Sequence, residues 1–183
     1  MENRSTHSML RITLPLAILG MATLALMDPA GAFDVPQNRE EFVKAVKSGA
    51  RGVRMETFTL DRSFDEVYRT LEARCTPCLD VMVKRSGMVG GTMEVSSSDY
   101  NPTLRRLSAD RAEFSLQVVH RPRAIGEVTG PGGLYLMAAD VKRVGAKTTE
   151  VTLYRPSMGY KDIYRSLMAW ADGKSNDCPK IKY

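Results

Sequence analysis

Three cysteines, Cys75, Cys78 and Cys178, have the types and spacing that most directly suggest chemistry. Cys75-Thr76-Pro77-Cys78 has the Cys-x-x-Cys spacing of a thiol–disulfide couple, in which a thiolate attacks a disulfide sulfur. Such a couple works best at a helix N-terminus, where free N–H groups and the helix dipole lower the thiol pKa. Here the apolar spacing predicts a helix before the motif and a strand after it. The dipole therefore opposes a thiolate, and only Arg74 favours one. The competing reading is a structural bridge to Cys178, closing a loop of about 100 residues. Cys78, nearer the helix end, is the preferred partner, and Cys75–Cys178 is the alternative.

Other chemistries find less. Cys75, Cys78, Cys178 and His120 would make a Cys₃His set, yet two of the four are isolated in sequence and no metal is expected. No G-x-S-x-G or H-E-x-x-H occurs, and Gly87–Gly91 and Gly130–Gly133 lack the Lys-Ser/Thr of a phosphate loop, so no cofactor is expected either. Asp61, Asp65 and Glu66 resemble paired carboxylates, but acids in a first helical turn are explained by capping at Ser63. A non-enzymatic protein is favoured, with the redox couple as the enzymatic alternative and a purely structural or protein-interaction role as a third.

The compartment bears on the cysteines. Arg4 and Arg11 precede an apolar run from Ile12 to Met27, and Ala30-Gly31-Ala32 supplies a small-x-small cleavage pattern. The run is 16 residues long, short of the ~20 that cross a bilayer. Residues 1–32 are thus expected to be a signal peptide cleaved after Ala32. No cysteine near its end could accept a lipid, so the product is expected to be periplasmic or secreted, where thiols oxidise. Removing the leader takes away two arginines and two acids and leaves the net charge at +5. That excess disfavours nucleic acid outside the cytosol and suits contact with an anionic envelope surface, although solubility is the plainer explanation. Oligomeric state stays open.

The elements that must position these residues follow from pattern. Asn38 with Glu41 reads as a capping box for a helix ending at Gly49, and Val53–Leu60 reads as a strand. A second box, Ser63 with Glu66, opens a helix whose apolar face carries Phe64, Val67, Tyr68, Leu71, Cys75 and Cys78. Pro77 predicts its stop or kink between Arg74 and Leu79. The period then becomes two, over Asp80–Ser86, Thr92–Ser97, Thr103–Ser108, Arg111–His120, Gly133–Val144 and Lys147–Arg155. Turns are expected at Gly87, Gly90-Gly91, Asn101-Pro102, Asp110 and Gly145-Ala146. Arg121–Gly132 is the long loop, and a last helix runs from Tyr160 to Ala171. The expectation is one α+β domain over 33–173, an antiparallel sheet of about 6-7 strands with helices packed on one face, followed by a 174–183 tail tied by the disulfide.

The passage Phe58-Thr59-Leu60-Asp61-Arg62-Ser63-Phe64-Asp65-Glu66-Val67-Tyr68, with the final strand and helix from Lys147 to Ala171, resembles the helix-grip arrangement of the START-like, or SRPBCC, superfamily. Trp170-Ala171-Asp172-Gly173 with Cys178-Pro179 resembles the ends of exported bacterial proteins. The sequence departs from the superfamily in lacking a second short helix after the first and in its short last helix. The resemblance implies an apolar site between the sheet and the Tyr160–Ala171 helix, under the Arg121–Gly133 loop. Tyr135, Met137, Tyr164, Met168 and Trp170 are its candidate lining, and the expected partner is an apolar small molecule or lipid. The seven methionines after the leader are read mainly as core.

Overall fold

Ser63 begins the best-capped helix: its side chain accepts from the Glu66 N–H, and the Glu66 carboxylate accepts from the Ser63 N–H at 2.9 Å. In the computed structural model, which describes residues 35–122 and 129–181 and the side chains of all of these but Val89, the order is α1 (Arg39–Lys47), β1 (Val53–Leu60), α2 (Phe64–Leu79), β2 (Val81–Val89), β3 (Thr92–Arg106), β4 (Arg111–Arg121), β5 (Leu134–Gly145), β6 (Thr148–Pro156) and α3 (Lys161–Asp172). The proposed signal peptide and residues 123–128 of the expected loop lie outside the described residues. Among the described residues no helix is long and apolar enough to cross a membrane.

The strands form one antiparallel sheet in the order β1-β6-β5-β4-β3-β2, so α2 joins the two edge strands. The fold is α+β, as expected, with six strands. Thr92–Ser97 and Thr103–Ser108 are one strand, and Asn101-Pro102 is not a turn. β2 begins at Val81 opposite Tyr100, so beyond that point β3 is paired on one side only, where a proline is tolerated. Gly87 likewise lies within β2, opposite Glu94, and the turn falls at Gly90-Gly91. Both have positive φ, as a two-residue hairpin requires.

Helix α2 continues through Pro77 to Leu79; the proline lacks the N–H that would bond the Ala73 carbonyl, and the helix ends two residues later. With α3 it covers one side of the sheet, the helix side. Their core contains Phe64, Leu71, Leu79, Phe114, Leu116, Met137, Leu153, Leu167 and Trp170, all fully buried. Helix α1 is placed differently from the one-face expectation. Its Phe42, Val43 and Val46 pack on Ala138 and Tyr154, which alternate with the core residues Met137, Ala139 and Leu153 and point to the outer side. Three buried apolar residues on a nine-residue helix need a surface, and the outer side of β5 and β6 supplies one.

Charges pin the start of α2. Asp65 accepts from Arg106 at 2.6 Å and Arg143 at 3.0 Å, and both guanidinium groups lie over the Phe64 ring. These hydrogen bonds hold the Asp65 carboxyl below its ordinary 3.8. A depressed carboxylate pKa stabilises the fold above the unfolded value, and that contribution is lost as pH falls through the native value. The stability advantage of wild type over Asp65→Asn is therefore expected to be full near neutrality and to fade below about pH 4 in urea titrations run at stepped pH. An advantage that does not change with pH contradicts this.

Candidate functional site

The cysteines resolve first. On α2, residues 75 and 78 are i, i+3 neighbours and share the buried face. Cys78 is bonded to Cys178 across 100 residues, with 5.1 Å between Cα atoms. Cys75 is left as a free thiol, 1% exposed, and burial pushes its pKa up to about 12. The Cys75–Cys178 alternative is thereby replaced. The redox couple is not assembled either, because one member is bonded elsewhere and the other is neither accessible nor ionised. A maleimide is expected to leave the native protein unmodified and to label one thiol, at Cys75, after unfolding without reductant. Native labelling at the rate of an exposed cysteine would contradict the burial.

The tail is held at a second point, where Trp170 Nε1 donates to the Asp177 carbonyl at 3.0 Å. Arg62 donates to the Ala171 carbonyl at 2.8 Å and to Thr70 at 3.2 Å, tying the end of α3 to α2.

The five residues proposed as an apolar lining do not come together. Met137 and Trp170 are fully buried members of the core. Tyr135 is on the other side of the sheet, stacked on Phe42 of α1 with centroids 5.9 Å apart. Plain alternation would put residues 135 and 137 on one face. The register shift opposite Leu116/Gln117 breaks it: Met137 pairs with Leu116 on the helix side, and Tyr135 pairs with Gln117 on the outer side. Tyr164 and Met168 remain half-buried on α3, packed against the core.

Those two belong to a rim that the sequence did not reveal. Val83, Leu134, Tyr160, Tyr164 and Met168 pack on the core while staying partly accessible, and register puts Val83 and Leu134 at the end of the sheet where β6 finishes and α3 begins. Cross-strand register places Val83, Ser98 and His120 in one row on the helix side. Ser98 is fully buried, and its hydroxyl shares a 2.7 Å hydrogen bond with His120 Nδ1. Leu134 faces Val118, the neighbour of this row. Pairing of β5 with β6 starts only at Ala138 opposite Tyr154, so Leu134–Met137 are laddered on one side. Arg155 closes the far side of the rim: it forks onto Glu56 at 2.8 and 3.1 Å and lies 4.0 Å over the Tyr164 ring. Partly accessible apolar side chains thus flank one hydrogen-bonding pair on the helix side. His120 was visible in the sequence only as a metal ligand. Its partner Ser98 carried no signal, because their contact depends on strand register.

The outer side has a polar cleft of about 360 Å³ between α1 and the sheet, lined by Arg39, Arg105, Glu113, Ser115, Gln117 and Tyr135 among others. Arg39 bonds Glu113 at 3.1 Å, Asp140 at 2.5 Å and the Ala139 carbonyl at 2.9 Å. Tyr154 adds its hydroxyl to Asp140 at 2.8 Å, and burial, with this contact second, raises its pKa. The charges are paired with one another, so this seam fastens α1 to the sheet. Gln117 donates to the Pro131 and Gly133 carbonyls, fixing the chain as it enters β5. Gly133 has φ 98°, and a Cβ there would fall 2.2 Å from the Val118 carbonyl oxygen, so only glycine fits. Among the described residues no group of three or more potential metal ligands exists. The Cys₃His set is divided among the bridge, the buried thiol and the Ser98–His120 pair.

No protein-family model matches the chain, and no curated relative does. Several solved structures are similar to it, among them the following two. BexL, a di-domain ARO/CYC from the BE-7585A biosynthetic pathway, is 18% identical over 67% of this chain, with a TM-score of 0.30. This chain spans about half, 45%, of BexL's length. Ara h 8.0201 is 7% identical over 66% of this chain and 95% of its own, also with a TM-score of 0.30. At these scores neither likeness carries an argument about function.

Proposed function

We propose that this chain is an exported, non-enzymatic binding module for a lipid or other apolar molecule at the bacterial envelope, and that the rim at the start of α3 is its site. The observation that carries the reading is the half-buried apolar rim around the Ser98–His120 pair. Side chains that pack on a core yet stay partly wet gain from being covered, and the His120 imidazole, held by the buried Ser98 hydroxyl, can meet a polar head. The leader-like residues 1–32 and the disulfide both suit an oxidising compartment. Net charge +5 suits contact with anionic envelope components.

Native mass spectrometry of protein purified from a bacterial periplasm tests the reading. The expected result is a chain beginning at Phe33 that carries an apolar adduct removable by organic extraction. Recovery only as ligand-free protein would overturn the binding role, and an intact mass that retains residues 1–32 would overturn export.

A further inference from the structure

The β2–β3 hairpin outruns the rest of the sheet. Among the described residues β3 has a β4 partner only from Ser97 onward, opposite Arg121. Beyond the Lys84–Ser97 pair the hairpin is a two-stranded ribbon, extending roughly 17 Å to its Gly90-Gly91 turn at about 3.4 Å per residue.

The ribbon is two-faced. Register puts Met82, Lys84, Ser86 and Met88 on the outer side with Met93, Val95 and Ser97, and Met88 directly opposes Met93. Arg85, Gly87, Glu94 and Ser96 take the other side. Met82, Met88, Met93 and Val95 are 58%, 66%, 69% and 62% exposed. Methionines read from the sequence as core are thus spread over a projecting surface, where exposed apolar side chains cost hydration unless something covers them.

We infer that this ribbon docks on an anionic lipid bilayer, outer face down, with the methionines and Val95 at the acyl boundary and Lys84 reaching to headgroup phosphate. Three observations select a bilayer over other occupants. The apolar patch is on the order of 400 Å², about half of the ~800 Å² per partner that a stable dimer buries. Lys84 stands among the apolar residues; stacking against a second copy would bury it, whereas at a bilayer its long stem lets the ammonium rise to phosphate. Pairing of two β2 edges would set Lys84-Arg85 against the same pair, a like-charge contact that guards the edge. The proposal gives a place to the envelope contact suggested above and does not depend on the rim, which lies on the helix side.

The test uses the full chain with Met93→Cys carrying an NBD fluorophore. Cys75 is buried and Cys78 and Cys178 are bonded, so the label goes to one site. With phosphatidylglycerol vesicles the emission is expected to shift to the blue and to be quenched by bromolipid, while phosphatidylcholine vesicles give at least about a fivefold smaller response. Introducing Met88→Glu with Val95→Glu should abolish the response, and a label at Ser96→Cys should stay in water. Because the readout is local to the ribbon, attachment through residues 1–32 cannot imitate it. A label that remains water-exposed on phosphatidylglycerol vesicles overturns the inference. So does a blue shift that grows with protein concentration without vesicles, which would assign the face to a second copy. Either result leaves the rim reading intact, because ligand uptake is measured without vesicles.

Discussion

Replacing Cys178 with serine is expected to lower the unfolding free energy by about 4 to 5 kcal/mol, the figure that chain entropy gives for a loop of this length. The bridge joins residues 100 apart, so it removes a large share of the open conformations of the unfolded chain. It also holds a tail that is otherwise fixed by the Trp170–Asp177 hydrogen bond and by Ile181, which packs against the core. Urea unfolding without reductant measures the effect, and wild type with reductant should reproduce it. A midpoint within about 1 kcal/mol of wild type would show that the tail is held without the bond.

Trp170→Ala is the second large effect, a loss of about 3 to 5 kcal/mol. The indole is fully buried between α2, α3 and the sheet, so truncation leaves a cavity that packed neighbours cannot fill. It also removes the donor that holds Asp177. Trp170→Phe keeps most of the volume and should lose less than half as much. Both Trp170→Ala and Cys178→Ser release the tail, so the double variant should lose less than the sum, which a mutant cycle in urea detects. Full additivity would mean that the indole acts only as core.

What could be read from the sequence was local. The Asn38 N-cap, the Ser63–Glu66 capping box, the end of α2 near Pro77 and the final helix depend on neighbours a few residues away, and each is present, although the Glu41 carboxylate accepts from the Gln37 N–H and so does not complete a box at Asn38. The choice of Cys78 over Cys75 followed from its place nearer the helix end. Contacts set by register could not be read in this way. One irregularity beside Leu116 sends Tyr135 to the α1 side while Met137 stays in the core, which alternation alone would not predict. Ser98 meets His120 only because β3 and β4 align at that row, and α1 finds the outer side because Ala138 and Tyr154 leave room for it. The methionines misled for another reason: side-chain type says nothing of whether a strand pair is still backed by the sheet.

Titrating delipidated protein with a fluorescent long-chain fatty acid tests the rim most directly. The account predicts saturable uptake of one molecule per chain, weakened at least about tenfold by Leu134→Lys and by Met168→Asp in protein that still melts cooperatively. Uptake that is absent, or equal in wild type and both variants, would contradict it.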